Sequence, residues 1–338
     1  MAALAVAALG AAVWFVWNMA RGFDWKLFTG TLARTDWGWL GAAGVLAWLT
    51  YLVRAMRWRV LIRHLRPGIS LWNLFSGTAI GFTAIVLLGR PGEMVRPYVI
   101  GLKERLSFSS QLAALVVERM FDLSMALLIF GFALSQVDSS GVQAGARLRW
   151  VLATGGYAAA AVAVLCFGVF IALRQMGEAS ERRVMAAAAV LPDAARDIVR
   201  RVMSAFMQGV QSTKDWNAVA GALAYSVVEW ALIVACNVCL FKASPVTASF
   251  GLMDSLIFVG FVSFGNVVQI PGVGGGMQIV AVLVLTELFG VAVAPSMGVA
   301  TLFWLSTFVV IVPFGLVLAF QDGLRWGRFR QLKSEDIR

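Results

Sequence analysis

Three ionisable residues fall within five positions of an otherwise apolar run: Glu118, Arg119 and Asp122, in VVERMFDLS. On a helix, Glu118 and Asp122 share a face as an i,i+4 pair, and Arg119 lies i,i+3 from Asp122. Carboxylates there can hold a proton or pair with a cation, and a guanidinium can bind a carboxylate or a phosphate through its planar fork. If the helix begins near Phe108, the trio lies about 15 Å along it, at roughly 1.5 Å per residue. Upstream, GRPGEMVRP (89–97) sets Arg90, Glu93 and Arg96 among Gly89, Pro91, Gly92 and Pro97. These residues discourage continuous helix and leave backbone groups without internal partners. Arg90 and Arg96 then offer forked donors to an anionic head group, with Glu93 able to pair with either. The plainer alternatives are an interfacial turn whose arginines snorkel to phosphates, and an Arg119 neutralised by Glu93, Glu118 or Asp122.

Two further stretches carry comparable potential. NVVQIPGVGGGMQ brings Gln269, Gly272, Gly274, Gly275, Gly276 and Gln278 together. Closely spaced glycines let backbone approach a ligand, and amides opening a helix at Met277 attract an anion. A glycine-rich packing turn is the plainer alternative. Glu229, in the middle of YSVVEWALIV, is a candidate for coupling or ion pairing, whereas Glu287 falls near the end of its run.

The elements that must position these residues are membrane helices. Of 338 residues, 60% are hydrophobic and 14% charged, and mean hydropathy is +0.81. Soluble domains average about 45–50% apolar and about 25% charged. Several runs approach the roughly twenty apolar residues that cross a hydrocarbon core, and many of the thirteen tryptophans stand at run ends, as interfacial anchors do. The net charge of +10 resides in short loops between runs, so it speaks for topology and an anionic bilayer surface, not for nucleic acid. Cys166, Cys236 and Cys239 lie inside apolar runs and His64 is the single histidine. That leaves no material for a disulfide framework, a His-based zinc site or a Ser-His-Asp triad. With no nucleotide-binding motif either, no cofactor and no metal is expected.

Apolar runs cover about 1–18, 37–53, 69–88, 111–134, 150–173, 216–241, 250–268, 277–292 and 297–320. The first lacks a positive n-region and is read as a retained helix. Arginine-rich segments 54–66 and 174–201, and the tail from Arg325, count as cytoplasmic under the positive-inside bias. Three full spans between the first two would end on the wrong side. Residues 69–104 are therefore expected to enter and return as a re-entrant hairpin, with a second hairpin at 250–292. Each half then reads helix, helix, broken hairpin, helix: an all-α polytopic membrane protein built as an inverted repeat, with about six full spans plus two re-entrant hairpins. Such repeats place discontinuous helices around a site near the bilayer midplane. The expected organisation is a first repeat over 1–134, an outer loop and helix over 135–173, a basic amphipathic linker over 174–215, the rest of the second repeat over 216–320, and a basic tail over 321–338. Both termini are expected to be cytoplasmic.

GRPGEMVRPYVIG, then LAALVVERMFDL, then IPGVGGG late in the chain resemble the membrane region of the lysylphosphatidylglycerol synthase family, whose members are often called flippase-like proteins. The resemblance covers nearly the whole chain and implies a multi-pass protein of the bacterial inner membrane. Its implied partner is a lipid with an anionic or sugar-bearing head group; relatives are associated with aminoacylated phosphatidylglycerol, hopanoids or polyprenyl-linked glycans. Two departures from the resemblance stand out: no aminoacyl-transferase domain like that of the full-length synthases is expected, and Gln278 occupies the position where a PGGxGxxE-like pattern has an acid. The expected function is a lipid translocase rather than an enzyme. A membrane-embedded head-group transferase using Glu93, Glu118 or Asp122 as base, and a non-catalytic scaffold, are the alternatives; homo-oligomerisation is left open.

Overall fold

The structure, a computed structural model, describes residues 24–136, 216–265, 269–270 and 274–323, with isolated residues between 157 and 200. The expected spans 1–18 and 150–173, most of the linker and nearly all of the tail lie outside the described residues. What is described is helical apart from two strands of two residues each.

Two caps set the first elements. Asp24 accepts a hydrogen bond from the Leu27 amide and opens α1, Trp25–Ala33, a short helix that the run analysis does not predict. Asp36 accepts from the Gly38 and Trp39 amides and opens α2, Trp37–Ile62. At 26 residues, α2 is about 39 Å long. Here the sequence reading needs correction: 54–66 is not a loop, because the helix runs through Arg54, Arg57 and Arg59 to Ile62. Only Arg63 onward forms the turn before α3. Arginines have high helix propensity, and nothing between Leu52 and Ile62 breaks the pattern.

Ser70 caps α3, Leu71–Leu88. The helix stops at Gly89, whose φ of +72° is a conformation that favours glycine. A 3-10 turn over Arg90–Met94 then leads into α4, Val95–Glu104. This arm folds straight back along α3. A Cβ on Gly81 would lie 2.4 Å from the Arg96 Cβ, and one on Gly92 would lie 2.3 Å from the Ala84 carbonyl oxygen. The two ends meet as well. The Glu104 carboxylate accepts from the Ser70 amide at 3.3 Å and from Asn73 Nδ2 at 2.8 Å. Residues 70–104 are thus a helical hairpin with a closed base and its tip at Gly89.

α5, Phe108–Gln136, has 29 residues. α6, Trp216–Ala243, runs antiparallel to α2: the Asp36 amide donates to the Ala243 carbonyl at 2.8 Å, and Cys236 Sγ donates to the Ala43 carbonyl at 3.4 Å. A second hairpin follows. Its arms are α7, Leu252–Gly265, and α8, Gly276–Leu283. Antiparallel strands β1, Gln269–Ile270, and β2, Gly274–Gly275, join them. α8 passes through a π-turn at Val284–Leu288 before α9, Val293–Gln321.

The hairpins cross over to partners in the other half of the chain. α3 packs on α9, where Thr83 Oγ1 donates to the Ile311 carbonyl at 3.0 Å and Gly315 abuts Ala79 and Thr83. α7 packs on α5, where Gly260 abuts Phe130 and Ala133. Small residues at such crossings let membrane helices approach closely. By length and composition α2, α3, α6 and α9 can each cross a membrane. Their outward positions, such as Trp37, Val45, Val309 and Phe320, are exposed and apolar, as surfaces facing lipid are.

Candidate functional site: a buried arginine–carboxylate cluster

Four elements converge on one charged cluster. α2 supplies Arg54 and Arg57, one turn apart; α4 supplies Arg96; α5 supplies Glu118, Arg119 and Asp122; α6 supplies Ser226 and Glu229. At its centre the fully buried Arg57 reaches three carboxylates, with Nη2 3.1 Å from Glu118 Oε1 and Nη1 2.7 Å from Asp122 Oδ1 and 3.1 Å from Glu229 Oε2. Its Nη1 also donates to Ser226 Oγ at 2.9 Å. Arg54 Nη2 lies 2.7 Å from Glu229 Oε1. Arg96 Nη1 donates to Glu118 Oε1 at 2.7 Å, and Arg119 Nη2 donates to the same oxygen at 3.2 Å. Glu118 is therefore a hub that holds three guanidinium groups from three helices.

Packing explains why these long side chains stay in place. Gly81 lets the α4 backbone pass close to α3, which brings Arg96 into the interior. Its guanidinium stacks 4.1 Å from the Trp58 ring, and that of Arg54 lies 4.6 Å from the Phe82 ring. Aromatic faces stabilise desolvated cations. Trp58 is itself fixed by donating from Nε1 to Gln111 Oε1 at 2.9 Å.

Hydrogen bonding is incomplete. Glu118 Oε2, Arg57 Nε and Arg96 Nε are buried without a hydrogen-bond partner. Charge is uneven too: four arginines face three carboxylates, leaving one formal positive charge in excess. Buried unpaired charge and orphaned polar atoms are costly. Its open edge is Arg119, whose side chain is 41% exposed while Glu118 is fully buried.

The structure sorts the expected site residues into those it assembles and those it separates. Glu118, Asp122, Glu229 and Arg96 meet in the cluster. Arg119 pairs with Glu118 and with Asp122, at 3.3 Å to its Oδ2; the expected buried pair is thus half-open, because Arg119 reaches past the helix surface. Arg90 and Arg96 do not act side by side. Arg96 is 3% exposed, whereas Arg90, 46% exposed, pairs with Glu93 inside the 3-10 turn. Their separation follows from the backbone: Arg96 faces α3 at Gly81, and Arg90 stands past the end of α3 at the hairpin tip.

The glycine-rich segment joins the arms of the second hairpin. Gly272 lies outside the described residues, Gln269 and Gly274 pair across the strands with Gly275 and Ile270, and Gly276 starts α8. Gln278 Oε1 accepts from the Gly275 amide at 2.7 Å, so it satisfies one of the free donors at its own helix start. Glu287 is exposed. Sequence reasoning missed Arg54, Arg57, Trp58 and Ser226. Arg54 and Arg57 stand i,i+3 at the end of an apolar run, a pattern that a cytoplasmic loop shares. Among the described residues no group of three or more His, Cys, Asp or Glu is placed to hold a metal. α2 and the start of α3 form an apolar groove of about 470 Å³ lined by Val45, Trp48, Leu49, Leu52, Leu71, Trp72 and Phe75.

The chain is similar to a glycosyltransferase, AglD, of Haloferax volcanii, with 25% identity over 303 aligned residues that cover 80% of this chain and 47% of the relative. It thus spans about half the length of that relative. No solved structure matches it. The family model described as the lysylphosphatidylglycerol synthase TM region matches residues 1–315, and the chain belongs to that family of membrane proteins.

Proposed function

We propose that this protein is a lipid translocase that moves a lipid with an anionic head group between leaflets, with the arginine cluster as its head-group site. The observation that carries this reading is the excess positive charge held deep in the helix bundle and open at Arg119. Glu118 is the eleventh residue of α5, about 15 Å from the helix start. Glu229 is the fourteenth of 28 in α6, about 20 Å from either end. Ionisable residues at such depth line pathways in membrane proteins. The apolar groove between α2 and α3 gives a lipid tail a place to lie while the head group enters the bundle.

In this reading both hairpins are re-entrant, with bases on opposite faces of an inverted repeat, and Glu229 is the carboxylate for coupling. Several contacts support the repeat. α3 crosses to α9 as α7 crosses to α5. A Cβ on Gly265 would lie 2.6 Å from the Gly276 carbonyl oxygen, as one on Gly92 would lie 2.3 Å from that of Ala84. α5 and α9 both have 29 residues. The membrane is the bacterial inner membrane, with both termini cytoplasmic.

The test is translocation of fluorescent anionic phospholipid in proteoliposomes. Wild-type protein accelerates it, and Arg96→Lys and Arg119→Lys slow it at matched reconstitution, because lysine keeps the charge and loses the planar fork. Wild-type rates in both lysine variants would remove the cluster from the transport path. A head-group transferase is the second reading, favoured by the likeness to a relative named as a glycosyltransferase. It predicts a covalently altered lipid from the purified protein. Glu118 and Asp122 fit that role less well, because each is held by two or more guanidinium groups.

A further inference from the structure

Resting on the translocase reading, we infer that the first hairpin is carried by α9, a helix of the other half, as one moving unit, and that the bend at Arg105 is its hinge against α5. The seam between hairpin and α9 is continuous from Ile311 to Asp322, about three turns. Thr83 Oγ1 donates to the Ile311 carbonyl at 3.0 Å. One turn further along α9, an added Cβ on Gly315 would lie 2.8 Å from the Ala79 carbonyl oxygen, so backbone lies almost against backbone. The Phe75 and Phe314 rings stand 6.0 Å apart. At the base, Lys103 Nζ lies 2.6 Å from Asp322 Oδ2 and donates to Ser76 Oγ at 2.6 Å. One ammonium thus ties the return arm to the outgoing arm and to the end of α9. Beside it, Glu104 closes the arms on each other, and Arg66 Nη1 donates to its carbonyl at 2.6 Å. A close-packed seam pinned at both ends transmits movement instead of absorbing it.

The contact between hairpin and α5 is built differently, from side chains. Arg96 reaches Glu118 across it, and Ile100 shares an apolar core with Leu115 and Val117. Such interfaces permit the small sliding by which packed helices shear. The chain between α4 and α5 bends at Arg105, with φ +52° and ψ +45°. Among the described residues it is the one non-glycine with a positive φ. A β-carbon is disfavoured there, and local strain of this kind gathers at switch segments. The other half repeats the arrangement. An added Cβ on Gly260 of α7 would lie 3.0 Å from the Ala133 Cβ of α5, and the Phe130 and Phe261 rings stand 5.2 Å apart. Each hairpin is thus seated on the long helix of the opposite half, and rocking of one such pair against the other carries both hairpins at once.

Cross-linking tests this in full-length protein freed of Cys166, Cys236 and Cys239, in phosphatidylcholine vesicles with tail-labelled phosphatidylglycerol. Lys103→Cys with Asp322→Cys, joined by a short reducible bis-methanethiosulfonate linker, fixes the hairpin to α9, and translocation continues at the unlinked rate. Leu102→Cys with Ser110→Cys staples the bend, beside the place where a Cβ on Gly101 would lie 3.7 Å from Gln111 Cγ. Translocation is then lost, and it returns on reduction. Loss of transport on linking the first pair, restored by reduction, would mean that the seam with α9 opens, and would overturn the inference. An unchanged rate with the bend stapled would overturn it too. Failure of both the wild type and the unlinked variants to accelerate translocation, relative to empty vesicles, would overturn the translocase reading alone. Hydrogen exchange in the same vesicles then decides the coupling. Lys103→Met, which cuts the tie and keeps the stem, speeds exchange of the amides of 76–83 and 311–319 by the same factor. A change confined to 76–83 would overturn the single moving unit.

Discussion

Glu118 is the eleventh residue of α5 and Phe303 the eleventh of α9, two helices of 29 residues each. Each helix receives the first arm of a hairpin from the other half of the chain. Around Glu118 the interior is ionic, with Arg57, Arg96 and Arg119 on one carboxylate. Around Phe303 it is aromatic: the ring centroids of Phe241, Phe258 and Phe303 form a triangle with sides of 5.0, 5.4 and 4.9 Å. Helices of equal length thus close over either content. Aromatic packing is tolerant of shape and direction, and it fills space without leaving polar groups unmet. An ionic core demands geometry, costs desolvation, and is often no more stable than an apolar replacement. The ionic half is therefore the half whose composition packing alone does not explain.

Conservative substitutions should expose this difference with the largest effect. Glu118→Gln preserves size but removes the charge that three arginines share. Removing one partner of a buried ion pair costs about 3–5 kcal/mol. Phe303→Leu also removes the preferred group, yet hydrophobic swaps that keep most of the volume usually cost less than about 1.5 kcal/mol. Thermal unfolding in detergent should rank Glu118→Gln well below Phe303→Leu, which stays near the wild type. The reverse ranking would mean that water reaches Glu118 and that the core of the first half is not ionic in any energetic sense.

The same contrast explains what could be read from sequence. Glu118, Asp122 and Glu229 stand out because a carboxylate inside an apolar run has no ordinary reason to be there. The turn at Gly89 is legible because GRPG breaks a helix wherever it occurs. Arg54 and Arg57 are not legible by the same logic. Arginines at the end of an apolar run are what topology leads one to expect in a cytoplasmic loop, and one sequence cannot separate a loop from another two turns of buried helix. Their partners lie far along the chain, with Ser226 169 residues from Arg57. Burial at that distance is a property of packing between halves. The separation of Arg90 from Arg96 was hidden for a local reason: their neighbours differ only once Gly81 is known to face Arg96.

An intermediate effect tests whether the halves are related. Gly92→Ala places a methyl 2.3 Å from the Ala84 carbonyl oxygen, and Gly265→Ala places one 2.6 Å from that of Gly276. Both contacts are with backbone, which yields little, and overpacking of this kind costs typically about 1–3 kcal/mol. Gly41, by comparison, has nothing within 4 Å of an added Cβ. Gly41→Ala should be neutral or stabilising by up to about 1 kcal/mol, through helix propensity. Matched losses for the two hairpin variants, and none for the control, would sharpen the likeness between the halves. A large loss in only one would show that just one hairpin is closely packed.

The smallest effect is expected at the tip of the first hairpin. Arg90 and Arg96 come from the same nine-residue stretch, and a count of motif residues treats them alike. Arg96 is 3% exposed and stacks on Trp58; Arg90 is 46% exposed and binds its i,i+3 neighbour Glu93. Exposed pairs contribute about 0–1 kcal/mol, because solvent screens them and both side chains lose freedom in forming them. Arg90→Ala should therefore shift the unfolding transition by little, while Arg96→Ala, which leaves Glu118 and the stacking face of Trp58 without their partner, should shift it clearly. A shift for Arg90→Ala as large as that for Arg96→Ala would mean that the tip is buried against another part of the protein. The ionic region would then extend along the whole return arm of the hairpin, and its contrast with the aromatic half would lie in extent as well as in kind.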